Sequence, residues 1–289
     1  MNQDPTPDAP APRGPFLRVL EGKKAGTVYD LSQVGEATFG GEGADHVLVP
    51  GRAGGLCRFR PEGNVVVAED LTQEGILVNH RRRTEAELRD GDLIVADEAV
   101  LLYLEEETPF RPQAMAVEAG RLTSLDLIEL PRLFHSVYAD GPFRECLICS
   151  RPLGDPTSQY YVEKVYRGTE VILECAICMG CMHDMQSEFS QESKERLEAF
   201  GRGIGATGHS FARCDLCGAK RATLGEFNLI CGCLGPWMIQ KAIFILCGVC
   251  VEKIQALLSK KTRDVHGDFV DTHFPGVPQG YDVPTPMLL

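Results

Sequence analysis

Long apolar runs are absent from this sequence of 289 residues. The longest, Ala242–Val251, has ten residues between Lys241 and Glu252, about half of what a membrane-spanning helix needs. It predicts a buried strand, and no membrane partner is expected. No apolar stretch follows the first five residues, so no secretory signal is expected either. The 12 cysteines are therefore predicted to be reduced thiols in a cytoplasmic protein.

An excess of basic residues is also missing. The formal net charge is −12, residues 16–109 hold 10 basic and 18 acidic side chains (net −8), and residues 143–275 hold 15 and 16 (net −1). A protein that binds the phosphate backbone of a nucleic acid needs a basic face. The charge distribution therefore predicts no nucleic-acid partner.

Familiar catalytic motifs do not occur in the sequence. There is no Gly-x-Ser-x-Gly, no Gly-rich phosphate loop and no His-Glu-x-x-His, and the Cys-x-x-Cys pairs lack a thioredoxin-like βαβ setting. His183 and Asp184 follow one cysteine pair, but four thiolates on a metal leave no position for a reactive water. We predict that the protein is not an enzyme.

The most informative feature is a set of four Cys-x-x-Cys pairs in the C-terminal half. The first two pairs are 32 residues apart and the last two are 33 apart. Two such pairs supply the four thiolates of a closed tetrahedral zinc site. We therefore predict two structural Zn²⁺ ions, with sequential pairing favoured over cross-braced pairing. The predicted ligands are Cys146, Cys149, Cys178, Cys181, Cys214, Cys217, Cys247 and Cys250.

The repeat extends beyond the cysteines. A helix is predicted after the second pair of each half, and a Ser that could cap a further helix follows each of them, at Ser190 and Ser259. Each half also contains two strand candidates between its cysteine pairs. These candidates are Tyr160–Tyr166 and Glu170–Glu174 in the first half, and Phe227–Leu234 and Met238–Leu246 in the second.

The order of cysteine turn, hairpin, cysteine turn and helix resembles the treble-clef zinc fold. The resemblance covers residues 143–274 as two copies, 143–200 and 211–270, and implies an α+β tandem zinc domain. It specifies a fold group rather than an activity, because treble clefs serve several functions.

The N-terminal half has a different sequence pattern. Residues 1–15 are rich in Pro, Ala and Asp and are predicted to be a disordered leader. Residues 16–109 contain short β-rich runs separated by turn residues, which predicts an all-β sandwich in a multi-domain chain. The runs are Phe16–Leu20, Gly26–Leu31, His46–Val49, Asn64–Ala68, Ile76–Val78, Leu93–Val95 and Ala99–Leu104.

Motifs within these runs resemble those of the forkhead-associated (FHA) domain. They are the segments Phe39-Gly40-Gly41, Asp45-His46-Val47-Leu48, Gly75-Ile76-Leu77-Val78-Asn79 and Leu88-Arg89-Asp90-Gly91-Asp92-Leu93-Ile94. The resemblance implies an FHA-like β-sandwich whose family binds phosphothreonine. The family's phosphate-binding side chains are replaced at the matching positions, Gly41, Gly54, Cys57 and Glu74. Phosphothreonine binding is therefore not expected, although Arg81–Arg83 could offer a displaced anion site if these residues do not simply form a charged loop.

The remaining segments carry weaker signals. Residues 110–142 are predicted to be a linker with a short helical segment, and residues 275–289 an extended Pro-rich tail. Cys175, Cys231 and Cys233 have no counterparts among the paired cysteines and are predicted to be buried, as is Cys57. The favoured function is a cytoplasmic adaptor that binds a protein partner. The alternative is a thiol-based redox or metal-responsive regulator that uses the unpaired cysteines. A third metal site that includes these cysteines and His183 or His209 is a separate possibility, with burial favoured over it.

Overall fold

The computed structural model describes residues 14–40, 48–50, 54–106, 114–118, 121–125, 127–203 and 210–274. The chain divides into two compact units, Met1–Phe110 and Arg111–Leu289. Within the described residues, no helix is long and apolar enough to cross a membrane.

The N-terminal unit consists of short strands with one turn of helix, α1 (Leu31–Val34). Its strands are β1 (Phe16–Glu21), β2 (Val28–Asp30), β3 (Ala37–Phe39), β4 (Leu48–Pro50), β5 (Cys57–Glu62), β6 (Val65–Asp70), β7 (Ile76–Val78), β8 (Arg81–Arg83), β9 (Glu85–Leu88), β10 (Leu93–Ala96) and β11 (Ala99–Leu104). They form two sheets, ordered β2-β1-β11-β10-β7-β8 and β4-β3-β5-β6-β9.

The core of this unit combines side chains from both sheets. Leu17 and Leu101 of the first sheet and Phe39 and Phe59 of the second are fully buried in one apolar cluster. Two sheets that bury their facing side chains in a common core form a sandwich. The predicted all-β sandwich is therefore present in the N-terminal unit.

Each predicted run in this unit overlaps an observed strand, but β3, β5 and β9 were not predicted. Ile76–Val78 and Ala99–Leu104 were predicted with their observed bounds. The charged run Arg81–Arg83 forms β8 rather than a loop, because its backbone pairs with β7 while its side chains remain exposed. Backbone pairing of this kind leaves no apolar alternation in the sequence.

The C-terminal unit contains seven strands and four α-helices among its described residues. The strands are β12 (Ala114–Glu118), β13 (Arg121–Leu125), β14 (Leu127–Glu129), β15 (Gln159–Arg167), β16 (Glu170–Cys178), β17 (Glu226–Leu234) and β18 (Trp237–Cys247). The helices are α2 (Met179–Ser187), α3 (Gln191–Gly203), α4 (Gly248–Gln255) and α5 (Lys260–His273), with 3-10 turns at Arg132–Phe134 and Arg221–Thr223. Strands β12 and β13 form a hairpin, and the other five form one sheet ordered β14-β18-β17-β15-β16.

The segment predicted as a linker with a short helix is different in the structure. It contains β12, β13 and β14, and only Arg132–Phe134 forms a single 3-10 turn. Strand β14 pairs with β18, joining Leu127 to Ile239 and Glu129 to Trp237. Its conformation is therefore fixed by a strand more than 100 residues later in the sequence, which local apolar spacing does not reveal.

The two cysteine repeats, 143–200 and 211–270, share one sheet and are related by a pseudo-two-fold axis. Strand β15 of the first repeat pairs antiparallel with β17 of the second, joining Gln159 to Leu234 and Arg167 to Glu226. Within each hairpin, the Tyr160–Cys178 pair corresponds to the Phe227–Cys247 pair. Glu163 and its counterpart Ile230 then pair with each other, so the axis passes between them.

The helices also connect the two repeats in a symmetric way. Ser190 and Ser259 precede α3 and α5 and accept hydrogen bonds from the backbone N–H three residues on, at 3.1 and 3.3 Å. Each serine also donates its own N–H to the opposite repeat, Ser190 to Thr262 Oγ1 (3.1 Å) and Ser259 to Ser193 Oγ (2.8 Å). The predicted serine caps are therefore present, and each one also ties the two repeats together.

Candidate metal centres

Each repeat begins with a tight turn that we call a knuckle, at Cys146–Cys149 in the first repeat and Cys214–Cys217 in the second. The carbonyl of Cys146 accepts a hydrogen bond from Ser150 N at 2.9 Å, and that of Cys214 accepts one from Gly218 N at 2.8 Å. Ser150 and Gly218 have positive φ angles of 55° and 71°. This conformation closes the turn and directs both thiols of a knuckle to the same side.

The second cysteine pair of each repeat lies at a strand-to-helix junction. Cys178 ends β16 and is the N-cap of α2, and Cys247 ends β18 and is the N-cap of α4. The N–H of Cys178 donates to Cys146 Sγ, and that of Cys247 to Cys214 Sγ, both at 3.4 Å. Helix N-terminal amides favour negatively charged sulfur, so the backbone prepares both sites for thiolates.

The eight predicted ligands form two separate groups. Within each group the four Sγ atoms all lie within 4.8 Å of one another. The groups are Cys146, Cys149, Cys178 and Cys181, and Cys214, Cys217, Cys247 and Cys250. This arrangement follows the sequential pairing of the Cys-x-x-Cys turns rather than the cross-braced alternative.

The sulfur spacing fits a tetrahedral zinc ion. Four sulfurs at about 2.3 Å from Zn²⁺ stand about 3.8 Å from one another. The Cys149 and Cys178 sulfurs are 3.8 Å apart, and those of Cys217 and Cys247 are 3.7 Å apart. A disulfide would require about 2.05 Å, and all 12 cysteines are free thiols in the structure.

The thiol pKa values differ within each group of four cysteines. Burial acts to raise the pKa of Cys146, but hydrogen bonds from backbone N–H groups, first that of Cys178, outweigh it and lower the pKa to about 7. The pKa values of Cys181 and Cys250 are raised, first by burial and then by the neighbouring sulfurs. Thiolates this close repel one another, and a bound divalent cation removes that penalty.

Both groups offer sulfur ligands alone. His183 and Asp184 lie on α2 but do not join the first group, and within the described residues no other cluster of potential metal ligands is present. A four-thiolate shell leaves no open coordination position for a substrate or water. When bound, Zn²⁺ would supply structural cross-linking at these eight residues.

The remaining cysteines of this unit are buried, as predicted. Cys175, Cys231 and Cys233 are each at most 2% exposed. The Cys231 and Cys233 sulfurs are 3.5 Å apart, and burial raises the pKa values of Cys175 and Cys231 well above the usual range. Redox-sensing cysteines are accessible and have low pKa values, so this geometry disfavours the thiol-regulator alternative. His209, the other residue considered for a third metal site, lies outside the described residues.

Sequence reasoning missed a buried ion pair near the first site. Lys164 Nζ lies 3.1 Å from Glu174 Oε2, and both side chains are at most 3% exposed. Glu174 also accepts hydrogen bonds from Ser136 Oγ (2.6 Å) and Val137 N (3.0 Å). The only available signal was a charged residue in each of two paired strand candidates, and such residues usually face solvent.

The FHA-like unit keeps the structural residues of its motifs. Asn79 Nδ2 donates to Asp92 Oδ1 at 2.9 Å, and Asn79 Oδ1 accepts from Leu93 N at 3.1 Å. These bonds fasten the end of β7 to the start of β10. The Gly-Asp and Val-Asn motifs thus have a clear role in holding the sandwich together.

The positions that match the family's phosphate ligands offer little to an anion. Cys57 is fully buried, and burial followed by the charge of Asp70 raises the pKa of its thiol. Gly54 has no side chain, and Gly41 lies outside the described residues. Arg82 and Arg83 line a shallow depression with Glu74 and Glu85, so carboxylates accompany the guanidinium groups there.

Comparison with solved structures matches the N-terminal third of the chain to FHA domains. One match, from a structural and functional analysis of phosphothreonine-dependent FHA domain interactions, is 26% identical and covers 33% of this chain and 97% of that chain, with a TM-score of 0.25. The FHA domain of a Chlamydia trachomatis protein is 18% identical over 32% of this chain and 97% of that one, with a TM-score of 0.26.

The FHA domain of an Arabidopsis thaliana hypothetical protein is 20% identical over 36% of this chain and 98% of that one, with a TM-score of 0.27. No family model matches the chain, and no curated protein matches it. The N-terminal third is therefore similar to FHA domains, and the two groups of four cysteines fit tandem zinc sites.

Proposed function

We propose that this protein is a non-enzymatic cytoplasmic adaptor with two structural zinc ions. An FHA-like sandwich (residues 16–109) follows a leader (1–15). Residues 110–142, which supply β14 to the C-terminal sheet, connect it to a treble-clef-type tandem zinc domain (143–274) with an extended tail (275–289). The eight paired cysteines are the zinc ligands. The partner is a protein. We propose that the chain binds neither a nucleic acid nor a membrane, and that it does not recognise phosphothreonine.

One observation carries this proposal: two equivalent groups of four cysteines have sulfur spacings of 3.8 and 3.7 Å at the pairs measured. Closed sites of this kind hold strands and helices in place but perform no reaction. A rigid surface for another protein is the function that such a domain supports best. The near-neutral charge of residues 143–275 gives a nucleic acid little to bind.

The proposed lack of phosphothreonine recognition rests on the side chains of the sandwich. The buried Cys57 thiol and the Glu74 carboxylate stand where the resemblance calls for groups that contact phosphate. A buried thiol with a raised pKa is a weak donor, and a carboxylate repels phosphate. The sandwich is therefore proposed not to recognise phosphothreonine, and partner capture is assigned to the C-terminal domain.

The metal is tested by elemental analysis of purified full-length protein. We expect about two Zn²⁺ per chain. Protein that contains no zinc, or that carries disulfides between the paired cysteines, would contradict the proposal.

The adaptor role is tested by affinity capture with the full chain and with a chain that lacks residues 111–289. We expect capture to be lost in the truncated chain while its β-structure remains by circular dichroism. Retained capture would place the adaptor role in the sandwich. Strongly salt-dependent binding of DNA or RNA by the full chain would contradict the proposed partner class.

Phosphate independence is tested by calorimetry with matched threonine and phosphothreonine peptides. We expect no preference for the phosphorylated form. A micromolar preference that disappears when Arg81–Arg83 are replaced by Ala would identify a displaced anion site instead.

A further inference from the structure

The two repeats differ at the outer edges of their shared sheet. In the second repeat the outer edge of β18 is covered by β14, which pairs with Trp237, Met238 and Ile239. In the first repeat β16 is the last strand of the sheet within the described residues. Among the described residues, the pseudo-two-fold arrangement therefore has a strand on one edge and none on the equivalent edge.

The equivalent stretch of β16 is identified by the hairpins. Glu170 and Val171 pair with Arg167 and Tyr166, and Trp237 and Met238 pair with the equivalent Leu234 and Cys233. Trp237–Met238 therefore corresponds to Glu170–Val171, and β18, with 11 residues against 9 in β16, has its two extra residues beyond this point. The knuckles cover the other ends of both strands in the same way. Leu147 N donates to Ala176 O at 2.9 Å, and Asp215 N donates to Ile245 O at 2.8 Å.

The uncovered stretch lies close to a loop with exposed apolar side chains. Val171 and Ile172 are partly exposed, and the loop at Val137 and Tyr138 leaves these side chains 51% and 83% exposed. Glu174, on the same strand, accepts a hydrogen bond from Val137 N at 3.0 Å.

The loop is held in a defined conformation. Ser136 Oγ donates to Glu174 and accepts from Tyr138 N and Ala139 N, at 3.2 and 3.1 Å. The loop closes through a β-bridge between Ser136 and Gly141. An exposed tyrosine on a preorganised loop is typical of the side chains that dominate protein interfaces.

We propose that the β16 edge at Glu170–Leu173, together with Val137 and Tyr138, binds an extended apolar segment of a partner protein as an added strand. The incoming strand pairs with β16 in the way that β14 pairs with β18, through backbone hydrogen bonds. Its sequence resembles β14, with two adjacent apolar residues beside a polar one. This inference rests on the proposed adaptor function and assigns its binding surface.

The size of the edge favours a linear segment over a second copy of this chain. Four residues of strand span only about 13 Å, whereas a stable protein interface buries about 800 Å² on each partner. An extended peptide needs less folded surface, because its backbone hydrogen bonds follow the edge and its side chains reach neighbouring pockets. The segment can then continue past the edge onto Tyr138.

The test uses full-length zinc-loaded protein and a fluorescent peptide with the sequence of residues 121–131, which contains β14. In the intact protein the edge of β18 is already covered, so the peptide should occupy the edge of β16. We expect saturable binding by fluorescence anisotropy with a Kd in the micromolar range. The same peptide with Ile128→Pro should not bind, because proline removes a backbone donor from the pairing.

Three protein variants locate the site. Ile172→Lys places a charge on the edge, and Tyr138→Ala removes the exposed ring without disturbing a buried residue. Each should weaken peptide binding about tenfold or more. Val249→Lys is the matched control, since Val249 is 63% exposed but lies on α4, and it should bind as the wild type does. Zinc content and circular dichroism verify the folding of each variant.

The results separate this inference from the proposed function. The assigned edge is overturned if the wild type does not bind the peptide, or if Ile172→Lys and Tyr138→Ala both bind it as tightly as the wild type does. Either result stands even if removal of residues 111–289 still abolishes partner capture. A wild-type dimer by sedimentation that Ile172→Lys converts to a monomer would assign the edge to a second copy and also overturn the proposal. If the chain without residues 111–289 retains its partners, the proposed function is contradicted instead, because the adaptor role then does not lie in the C-terminal unit.

Discussion

The two cysteine repeats share the same elements and differ in their interior side chains. Both have a knuckle, a hairpin, a helix that begins at the second cysteine pair and a serine-capped helix. In the first repeat Lys164 pairs across the hairpin with Glu174, whereas the corresponding pair in the second repeat is Cys231 and Ile243. The same position is therefore a buried ion pair in one repeat and an apolar pair in the other.

This difference indicates which features define the fold. Metal ligands, strand pairing and helix caps are common to both repeats, while interior side chains have diverged. A buried ion pair often gives no more stability than a well-packed apolar pair. What the ion pair adds in the first repeat is local structure, because Glu174 holds Ser136 and Val137 in place.

The largest predicted effect tests whether the repeats are one folding unit. Cys178→Ser and Cys247→Ser should each remove about one Zn²⁺, and structural zinc can supply on the order of 10 kcal/mol of folding free energy. Because β15 pairs with β17 along its whole length, we expect either variant to lower hydrogen-exchange protection in both repeats. Protection around Phe59, in the sandwich core, serves as the internal control. Loss confined to the mutated repeat would show that the repeats fold separately.

A second prediction concerns the difference in their interiors. Lys164→Met leaves Glu174 buried without its cation, and breaking a buried pair in this way costs about 3–5 kcal/mol. Lys164→Cys with Glu174→Ile copies the pair of the second repeat and should cost less than the single change. Urea unfolding with saturating zinc measures both. A double variant that is less stable than Lys164→Met would contradict the equivalence of the two interiors.

Acid should also affect the two repeats differently. His266 packs against Phe189 with ring centroids 5.1 Å apart, and its counterpart in the first repeat is Leu197. Burial lowers the pKa of His266 from 6.5 to about 4, so protonation favours the unfolded chain. The neutral imidazole's contribution is fully present above about pH 6.5 and is lost as the pH falls toward 4, by up to about 3 kcal/mol.

The measurement compares the wild type with His266→Gln between pH 7 and pH 5 at equal zinc loading. The difference between the two unfolding free energies isolates the histidine from thiolate protonation, which both proteins share. We expect the variant to lose less stability than the wild type over this range. Parallel pH profiles would contradict the assigned pKa.

The smallest predicted effects test the symmetry of the caps. Ser190→Ala and Ser259→Ala each remove an N-cap acceptor and should cost about 1 kcal/mol. Since the two hydroxyls also lie 2.8 Å apart, the double variant should cost less than the sum of the single variants. Thermal unfolding with saturating zinc measures all three. Simple additivity would show that the contact between the caps contributes nothing.

Much of the site could be predicted from the sequence, since its chemistry is local. A Cys-x-x-Cys turn brings two thiols together through the geometry of four residues. A serine before a helix caps that helix by accepting a hydrogen bond from the backbone N–H three residues on. The structure brings together all eight predicted cysteines, although the metal itself stays a prediction. The β-rich runs likewise predicted strands of the sandwich and of the two hairpins, although β3, β5, β8 and β9 were not among them.

Other features depended on partners far away in the chain. Arg81–Arg83 is a strand because β7 lies beside it, and Leu127–Glu129 is a strand because β18 does. The burial of Lys164 and Glu174 and the uncovered edge of β16 likewise arise from how the elements assemble. The sequence by itself therefore determined which cysteines come together, where the helix caps lie and that the chain is rich in strands. Only the tertiary structure decided which edges and charges are buried, because backbone pairing and desolvation depend on neighbours that no local pattern encodes.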